Sequence, residues 1–361
     1  MLRLGFIGAG AIAEVHADAA QRAGSAIAGF FDADLQRAHT LATKYNAKTA
    51  TSSLATLLAS DCDAVVVAVP NYLHREMAVA ALSAGKDLML EKPMAMNLAE
   101  CDAIIAAARS GSAGPQIVML NFVCRSSPAA LRAQSLIETG RLGRLYHVKA
   151  SIYRRRGIPG LGRWFTTRSQ SGGGVLVDIG VHLIDLALTL AGSPAVERVS
   201  GHVTSTFGAP IDRYRYTEMW AGPPDPRGVF DVEDGAVALI RLAGGITFEL
   251  NVTWAANLPE GTLPTGMTLL GEKGGCHFDV WGSDLTLTTE ENNAVVDLKQ
   301  QLPLASEAWP SAWQRQHEIF ATAVKSRMQP EASMACGRAV QATLEAIYRS
   351  SERGREVEIE S

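Results

Sequence analysis

The strongest constraint on the fold is a glycine turn between a buried strand and a helix, close to the start of the chain. Residues 2–8 read as an apolar strand, and Gly8-Ala9-Gly10-Ala11-Ile12-Ala13 follows at once as a G-x-G-x-x-A turn that opens a helix. Gly8 permits the tight turn, Gly10 lets backbone approach a pyrophosphate, and the small Ala13 lets helix and strand pack closely. Ala11 and Ile12 lie in the first helical turn, whose N–H groups and dipole favour an anion. The second strand ends at Asp32, 19 residues beyond Ala13, near the spacing of about 20 at which an acid meets a dinucleotide ribose. A carboxylate there accepts from both ribose hydroxyls of NAD and repels the 2′-phosphate of NADP, and Ala33 brings no phosphate donor. A tight βα turn without a ligand is the plainer alternative. The strand, helix and acid together favour NAD, with NADP second.

The rest of the first third keeps that rhythm. Strand-like runs at residues 26–32, 64–69, 87–91 and 116–121 alternate with helical patterns at 12–22, 34–45, 72–84 and 98–109. Ala64-Val65-Val66-Val67-Ala68-Val69 suits a parallel strand covered on both faces. An N-terminal Rossmann domain, a doubly wound parallel α/β sheet, is expected over residues 1–121. The pattern then changes to a helix at 128–139, a strand at 145–156, a helix at 177–191 and strand-like runs from about 195 to 300. Hairpin signals sit at Ala243-Gly244-Gly245 and Glu272-Lys273-Gly274. A C-terminal α+β domain with a mixed, mostly antiparallel open sheet is expected over residues 122–361, closed by helices at 313–325 and 335–350. Residues 208–228, rich in glycine and proline, read as a long surface loop.

Thirty-three basic and 37 acidic residues leave a net charge of −4, so nothing draws nucleic acid or an anionic membrane. No run of eighteen apolar residues suggests a span, and no leader pattern precedes the first strand. The five cysteines (Cys62, Cys101, Cys124, Cys276 and Cys336) are scattered without a C-x-x-C pair. They fit a reducing cytoplasm, without a disulfide framework or a metal site.

Two constellations carry chemistry. Asp87-Leu88-Met89-Leu90-Glu91-Lys92-Pro93 sets Glu91 and Lys92 at the carboxyl end of a parallel strand, the edge outside which ligands bind in such sheets. Pro93 disfavours the α region for Lys92 and keeps it extended. Alone, this is also how a strand stops in solvated charges. Pro70, Asn71 and His74, which end the preceding strand, and the glycine turn mark the same edge as functional. In the second constellation, the run Gly172-Gly173-Gly174 feeds a very apolar helix whose polar exceptions, Asp178, His182 and Asp185, fall at i, i+4 and i+7 on one stripe. Buried carboxylates and imidazoles are costly unless paired or liganded, so the stripe lines a partner or a cleft. Either a satisfied Asp–His pair anchors the helix, or His182 takes an alcohol proton, histidine being the side chain that titrates near neutrality. Asp185 then orients His182 or bonds backbone. Arg154-Arg155-Arg156, Arg163 and Trp164 precede the glycine run. They form a solvated edge, or Arg156 and Trp164 shape a pocket for a ligand with an acid group, which a guanidinium matches.

At these residues the chain resembles the glucose–fructose oxidoreductase/inositol dehydrogenase (Gfo/Idh/MocA) family. The matches are Gly8 to Ala13, Glu91-Lys92-Pro93, Gly172 to Gly174 and Asp178-Ile179-Gly180-Val181-His182, joined by Gln316-His317-Glu318-Ile319-Phe320 and Glu345-Ala346-Ile347-Tyr348 in the tail. The resemblance implies hydride transfer between NAD and a secondary alcohol of a sugar, sugar derivative or cyclitol. It implies a catalytic set of Lys92, Asp178 and His182, with Asn71, His74 and Glu91 near the cofactor. It also implies a homodimer or homotetramer through the open sheet. Some relatives instead use NAD transiently to cleave glycosidic bonds, and others are non-catalytic dinucleotide sensors. One departure stands out. Where members often carry Asn-x-Arg-Phe-x-Pro, this chain, aligned on Pro128, keeps Arg125, a substrate candidate, but has Val123 for the asparagine and Ser126 for the phenylalanine.

Overall fold

The computed structural model describes all residues except 111–114, 218, 220, 260, 283, 304, 360 and 361. The chain divides into two compact units, Met1–Ser126 with Pro310–Arg338, and Ser127–Trp309 with Ala339–Ser361. The expected boundary after residue 121 is therefore displaced by a few residues, and the first unit is not contiguous in sequence.

The first unit is built on a six-stranded parallel sheet. Its strands are β1 (Arg3–Ile7), β2 (Ala26–Phe31), β3 (Thr49–Thr51), β4 (Ala64–Val67), β5 (Asp87–Leu90) and β6 (Val118–Leu120), in the order β3-β2-β1-β4-β5-β6. β4 and β5 are buried along their whole length, as a sheet covered on both faces requires. The helices are α1 (Ala11–Arg22), α2 (Leu35–Lys44), α3 (Leu54–Leu58), α4 (His74–Ser83) and α5 (Leu98–Arg109). α1 buries Ala13, Ala17 and Ala20, small side chains that keep helix and sheet close. The strand order reverses between β1 and β4, the switch point beside which ligands bind in this architecture. Segment 310–338 belongs here because it covers the sheet's edge. Val118 N donates to Gln329 Oε1 (3.3 Å) and Leu120 N to Ala332 O (2.8 Å), so β6 presents fewer bare backbone groups.

The second unit begins with α6 (Pro128–Glu138) and β7 (Leu145–Tyr153), followed by α7 (Arg168–Ser171). A π-helix at Leu176–Gly180 then runs into α8 (Val181–Leu190). Its other strands are β8 (Val196–Thr204), β9 (Gly235–Leu242), β10 (Ile246–Thr253), β11 (Gly266–Gly271), β12 (Gly274–Phe278), β13 (Asp284–Glu291), β14 (Ala294–Gln301) and β15 (Val357–Glu358). They form a nine-stranded sheet in the order β14-β13-β12-β11-β7-β10-β9-β8-β15. β7 and β10 pair in parallel and the other described pairs are antiparallel, the mixed sheet expected. Helices α9 (Ala305–Ser326) and α10 (Met334–Arg353) complete the chain.

Two segments bear on the sequence expectations. One stretch, Arg168–Leu190, is long and apolar enough to cross a membrane by length and composition, with mean hydropathy 1.7; it is 83% buried in the protein, as a core helix is. Residues 208–228 do form irregular chain, apart from a short 3₁₀ turn at Ile211–Arg213, but the segment is tied down. Asp225 N donates to Leu161 O (2.8 Å), and the buried Asp234 carboxylate accepts from the backbone of Thr206, Phe207 and Gly208. Positions 218 and 220 lie outside the described residues.

Candidate functional site

The turn after β1 has the form a dinucleotide needs. Gly8 sits at φ +106°, and a Cβ there would lie 2.3 Å from Ala68 O, so no side chain fits. Gly10 differs, because a Cβ on it would meet nothing within 4 Å. It caps α1 without a side-chain bond, which leaves the first N–H groups of that helix, around Ala11 and Ile12, for an anion. Asp32 Oδ2 accepts from Ala9 N (2.8 Å) and Oδ1 from Asp34 N (2.9 Å). Backbone thus aims the carboxylate, and each oxygen keeps a lone pair for a ribose hydroxyl. The residues present fit the cofactor.

Glu91 and Lys92 leave β5 at the carboxyl edge of the same sheet. Glu91 is 8% exposed, so an ionised carboxylate there needs partners. Oε1 accepts from Asn121 Nδ2 (2.5 Å) and faces His16 Nε2 (2.8 Å), while Oε2 accepts from Lys92 N (3.1 Å). Burial alone would raise this carboxyl, but the hydrogen bond and charge of His16, with Lys92 and Asn121, bring it down to about 2. His16 Nδ1 faces His317 Nε2 at 3.0 Å. Burial, and then His16, hold His317 far below the ordinary histidine range, so His317 is neutral. His16 in turn directs its Nε2 proton at Glu91. A chain of two imidazoles therefore fixes the carboxylate next to Lys92.

This burial predicts an acid-dependent stability. The folded value lies below the ordinary 4.5, so the contribution is fully present above about 4.5 and is lost as pH falls toward about 2. The drop of about 2.5 pH units corresponds to about 3 kcal/mol. The gap in unfolding free energy between wild type and Glu91→Gln is expected to narrow by about that much over this range. Urea titrations showing a constant gap would count against the ionised carboxylate.

Around this edge, Pro70 precedes a 3₁₀ turn at Asn71–Leu73, and Asn71 is buried. His74, fully buried at the start of α4, places Nδ1 2.7 Å from Pro93 O and Nε2 3.0 Å from Val69 O. It spans the ends of β4 and β5, and burial pushes its pKa down. A neutral imidazole has one N–H, which the shorter contact, to Pro93 O, takes. Arg125 lies in a 3₁₀ turn with its guanidinium 5.5 Å from the centre of the Phe122 ring, and Val123 is buried.

In the second unit the glycine run leads into the π-helix. Glu233 Oε1 accepts from Gly174 N (2.8 Å), Leu176 N (3.0 Å) and Tyr348 Oη (2.9 Å), and burial raises its pKa. Asp178 Oδ2 accepts from the indole N–H of Trp254 at 3.0 Å. His182 meets the Trp281 ring edge-on at 5.9 Å, and Trp281 meets Trp309 at 4.8 Å. The three-residue stripe needs correction, because it assumed α-helical spacing and Asp178 winds in a π turn. Asp178 and His182 are half-buried, whereas Asp185 is 1% exposed. The structure thus separates Asp185 from the other two. Of the remaining candidates, Arg156 lines a cavity at the end of β7, while Trp164 stacks on Phe165 at 3.9 Å and does not line it.

Sequence reading missed His16, Asn121, His317, Glu233 and Trp254. A signal existed for His16 alone, a polar residue on the face of α1 that carries Ala13, Ala17 and Ala20. Among the described residues no group of three His, Cys, Asp or Glu could hold a metal.

Residues 2–117 match the family described as "Oxidoreductase family, NAD-binding Rossmann fold" (GFO_IDH_MocA), and residues 130–277 match the GFO/IDH/MocA C-terminal domain. The D-glucoside 3-dehydrogenase of Escherichia coli is 30% identical over 361 residues, covering 99% of this chain and 97% of that protein. A putative UDP-kanosamine synthase oxidoreductase subunit of Amycolatopsis mediterranei is 36% identical over 206 residues, 57% of this chain and 55% of that protein. A levoglucosan dehydrogenase solved with NADH and levoglucosan shares the fold, with a TM-score of 0.85 at 22% identity and all of both chains covered.

Proposed function

Because this chain belongs to the GFO/IDH/MocA oxidoreductases and carries their NAD-binding Rossmann domain, we propose that it oxidises a ring CH–OH of a sugar, sugar derivative or cyclitol to the ketone, reversibly. The observation that carries this reading is the placement of Lys92. It directly follows an ionised, fixed Glu91, and β1, β4 and β5 are parallel neighbours. The glycine turn and the lysine therefore lie at the carboxyl ends of one sheet.

NAD, when bound, accepts the hydride. The turn Gly8 to Ile12 and Asp32 hold the dinucleotide, with Pro70, Asn71, His74 and Glu91 beside it. Lys92 hydrogen-bonds the reacting oxygen and stabilises its developing negative charge. His182 takes the hydroxyl proton, and Asp178, fixed by Trp254, orients a neighbouring hydroxyl. The test is a panel of polyols, aldoses, glycosides and inositols with NAD or NADP, followed at the NADH absorbance. NAD is expected to give at least about 10-fold higher kcat/KM than NADP, because Asp32 disfavours the 2′-phosphate. Glycoside cleavage without net NADH would replace this reading with transient redox, and a clear NADP preference would remove the role of Asp32.

A further inference from the structure

Glu233 and Asp234 stand side by side just before β9, and both are buried, at 2% and 1% exposure. Buried acids are rare unless partners hold them, and the redox reading above gives neither a role. Glu233 Oε1 accepts from Gly174 N, Leu176 N and Tyr348 Oη, and its backbone oxygen accepts from Val175 N. Oε2 is buried with no hydrogen-bond partner among the described residues, so the side chain acts through Oε1. Burial, and then Glu233, push the Tyr348 hydroxyl well above its ordinary range, so it stays a donor. One residue therefore takes three successive N–H groups where the helical segment of Asp178 begins, donors that a helix leaves without internal partners. Asp178 N donates to Gly174 O (3.0 Å), one turn into that segment.

Asp234 leads to the same aspartate by another route. Its backbone oxygen accepts from Trp254 N (2.8 Å), next to the Gly235–Thr253 pair of β9 and β10. The indole of that tryptophan donates to Asp178 Oδ2 (3.0 Å). The contacts close a ring within the second unit: Glu233, the start of the helical segment, Asp178, Trp254, Asp234 and, across one peptide bond, Glu233 again. Asp178 is thus held at its backbone from one side and at its carboxylate from the other, which suits a group that must orient a hydroxyl. We propose that Glu233 is a positioning residue for the oxidation, acting through Asp178 without touching the sugar. This rests on the redox reading above and adds a residue to it. The ring needs an acceptor oxygen at this place, which glutamine supplies and leucine does not.

The test measures kcat/KM for the best sugar substrate in wild type, Glu233→Gln and Glu233→Leu, each with and without Asp178→Ala. Glu233→Leu is expected to lower kcat/KM by about 10-fold or more, through lost orientation, while NADH affinity stays within about 2-fold. Glu233→Gln is expected to stay within about 3-fold of wild type, because its amide oxygen accepts from the same donors. In the Asp178→Ala background, Glu233→Leu is expected to cost no more than about 2-fold, since the residue it acts through is gone. An equal loss in both backgrounds, or a glutamine variant as poor as the leucine one, overturns the proposal. If Glu233→Leu does not fold, Tyr348→Phe, which removes only the hydroxyl on Oε1, takes its place. Its expected loss is about 3-fold, the scale of one neutral hydrogen bond, and vanishes with Asp178→Ala; no loss, or the same loss in both backgrounds, overturns the proposal. If no sugar reduces NAD, the redox reading fails separately. Hydrogen exchange of the Trp254 indole N–H, followed by NMR and assigned by its absence in Trp254→Phe, then decides the ring alone. Indole exchange about 10-fold faster in the leucine or phenylalanine variant, with the backbone amides of β9 and β10 unchanged, upholds the ring. Unchanged indole exchange, or equal acceleration of all of them, rejects it.

Discussion

Lys92→Ala and His182→Ala are each expected to lower kcat by at least about 100-fold while NADH still binds, the scale of general acid–base and oxyanion contributions. In the proposed reaction, deleting the lysine removes the donor to the oxygen on which negative charge grows as hydride leaves, and deleting the imidazole removes the acceptor for the hydroxyl proton. Neither change should unfold its unit. Lys92 is half-buried, and its backbone N–H, which Glu91 uses, survives the substitution. His182 is also half-buried, beside the Trp281 ring. Single-turnover kinetics, with NADH fluorescence as the check on cofactor binding, separate chemistry from folding. Turnover near the wild-type rate in either variant would strike that residue from the mechanism.

How far the sequence exposed this site depended on distance along the chain. The glycine turn, Asp32 and Glu91-Lys92-Pro93 were legible because each joins a strand end to the next few residues, where local pattern carries the information. The partners that tune them were not. His16 and His317 lie 301 residues apart, and Asn121 reaches Glu91 from just beyond the end of β6. The same limit hid the return of segment 310–338 to the first unit, which rests on backbone bonds to β6. Other misses were local. β3 is three residues long and α3 five, too short for either period to show. α9 begins at Ala305, ahead of Pro310, a residue that reads as a helix boundary. A π turn leaves the apolar pattern of the 176–190 segment unchanged, so the sequence suggested one stripe where the structure has an accessible pair and a buried aspartate.

Gly174→Ala is expected to destabilise the protein by more than about 4 kcal/mol or to prevent it from folding, as happens when backbone itself has no room to move. A Cβ at this position would lie 1.9 Å from Glu233 O and 2.9 Å from Glu233 C. Nothing there can swing aside. Val175 N donates to Glu233 O (3.1 Å), and the Glu233 carboxylate holds Gly174 N and Leu176 N. Backbone and side chain of one glutamate therefore fix the entry to the helix that carries Asp178 and His182. Gly10→Ala supplies the contrast, since its Cβ enters open space. That variant should keep wild-type stability or gain up to about 1 kcal/mol, the usual effect of alanine replacing an unstrained glycine, yet bind NADH more weakly because the methyl occupies the approach to the pyrophosphate. Urea unfolding and NADH titration of both variants read the two effects separately. A Gly174→Ala protein that unfolds at the wild-type urea concentration would show that the glycine run tolerates side chains, and that the path from Glu233 to the helix of Asp178 and His182 is not the tight backbone contact described.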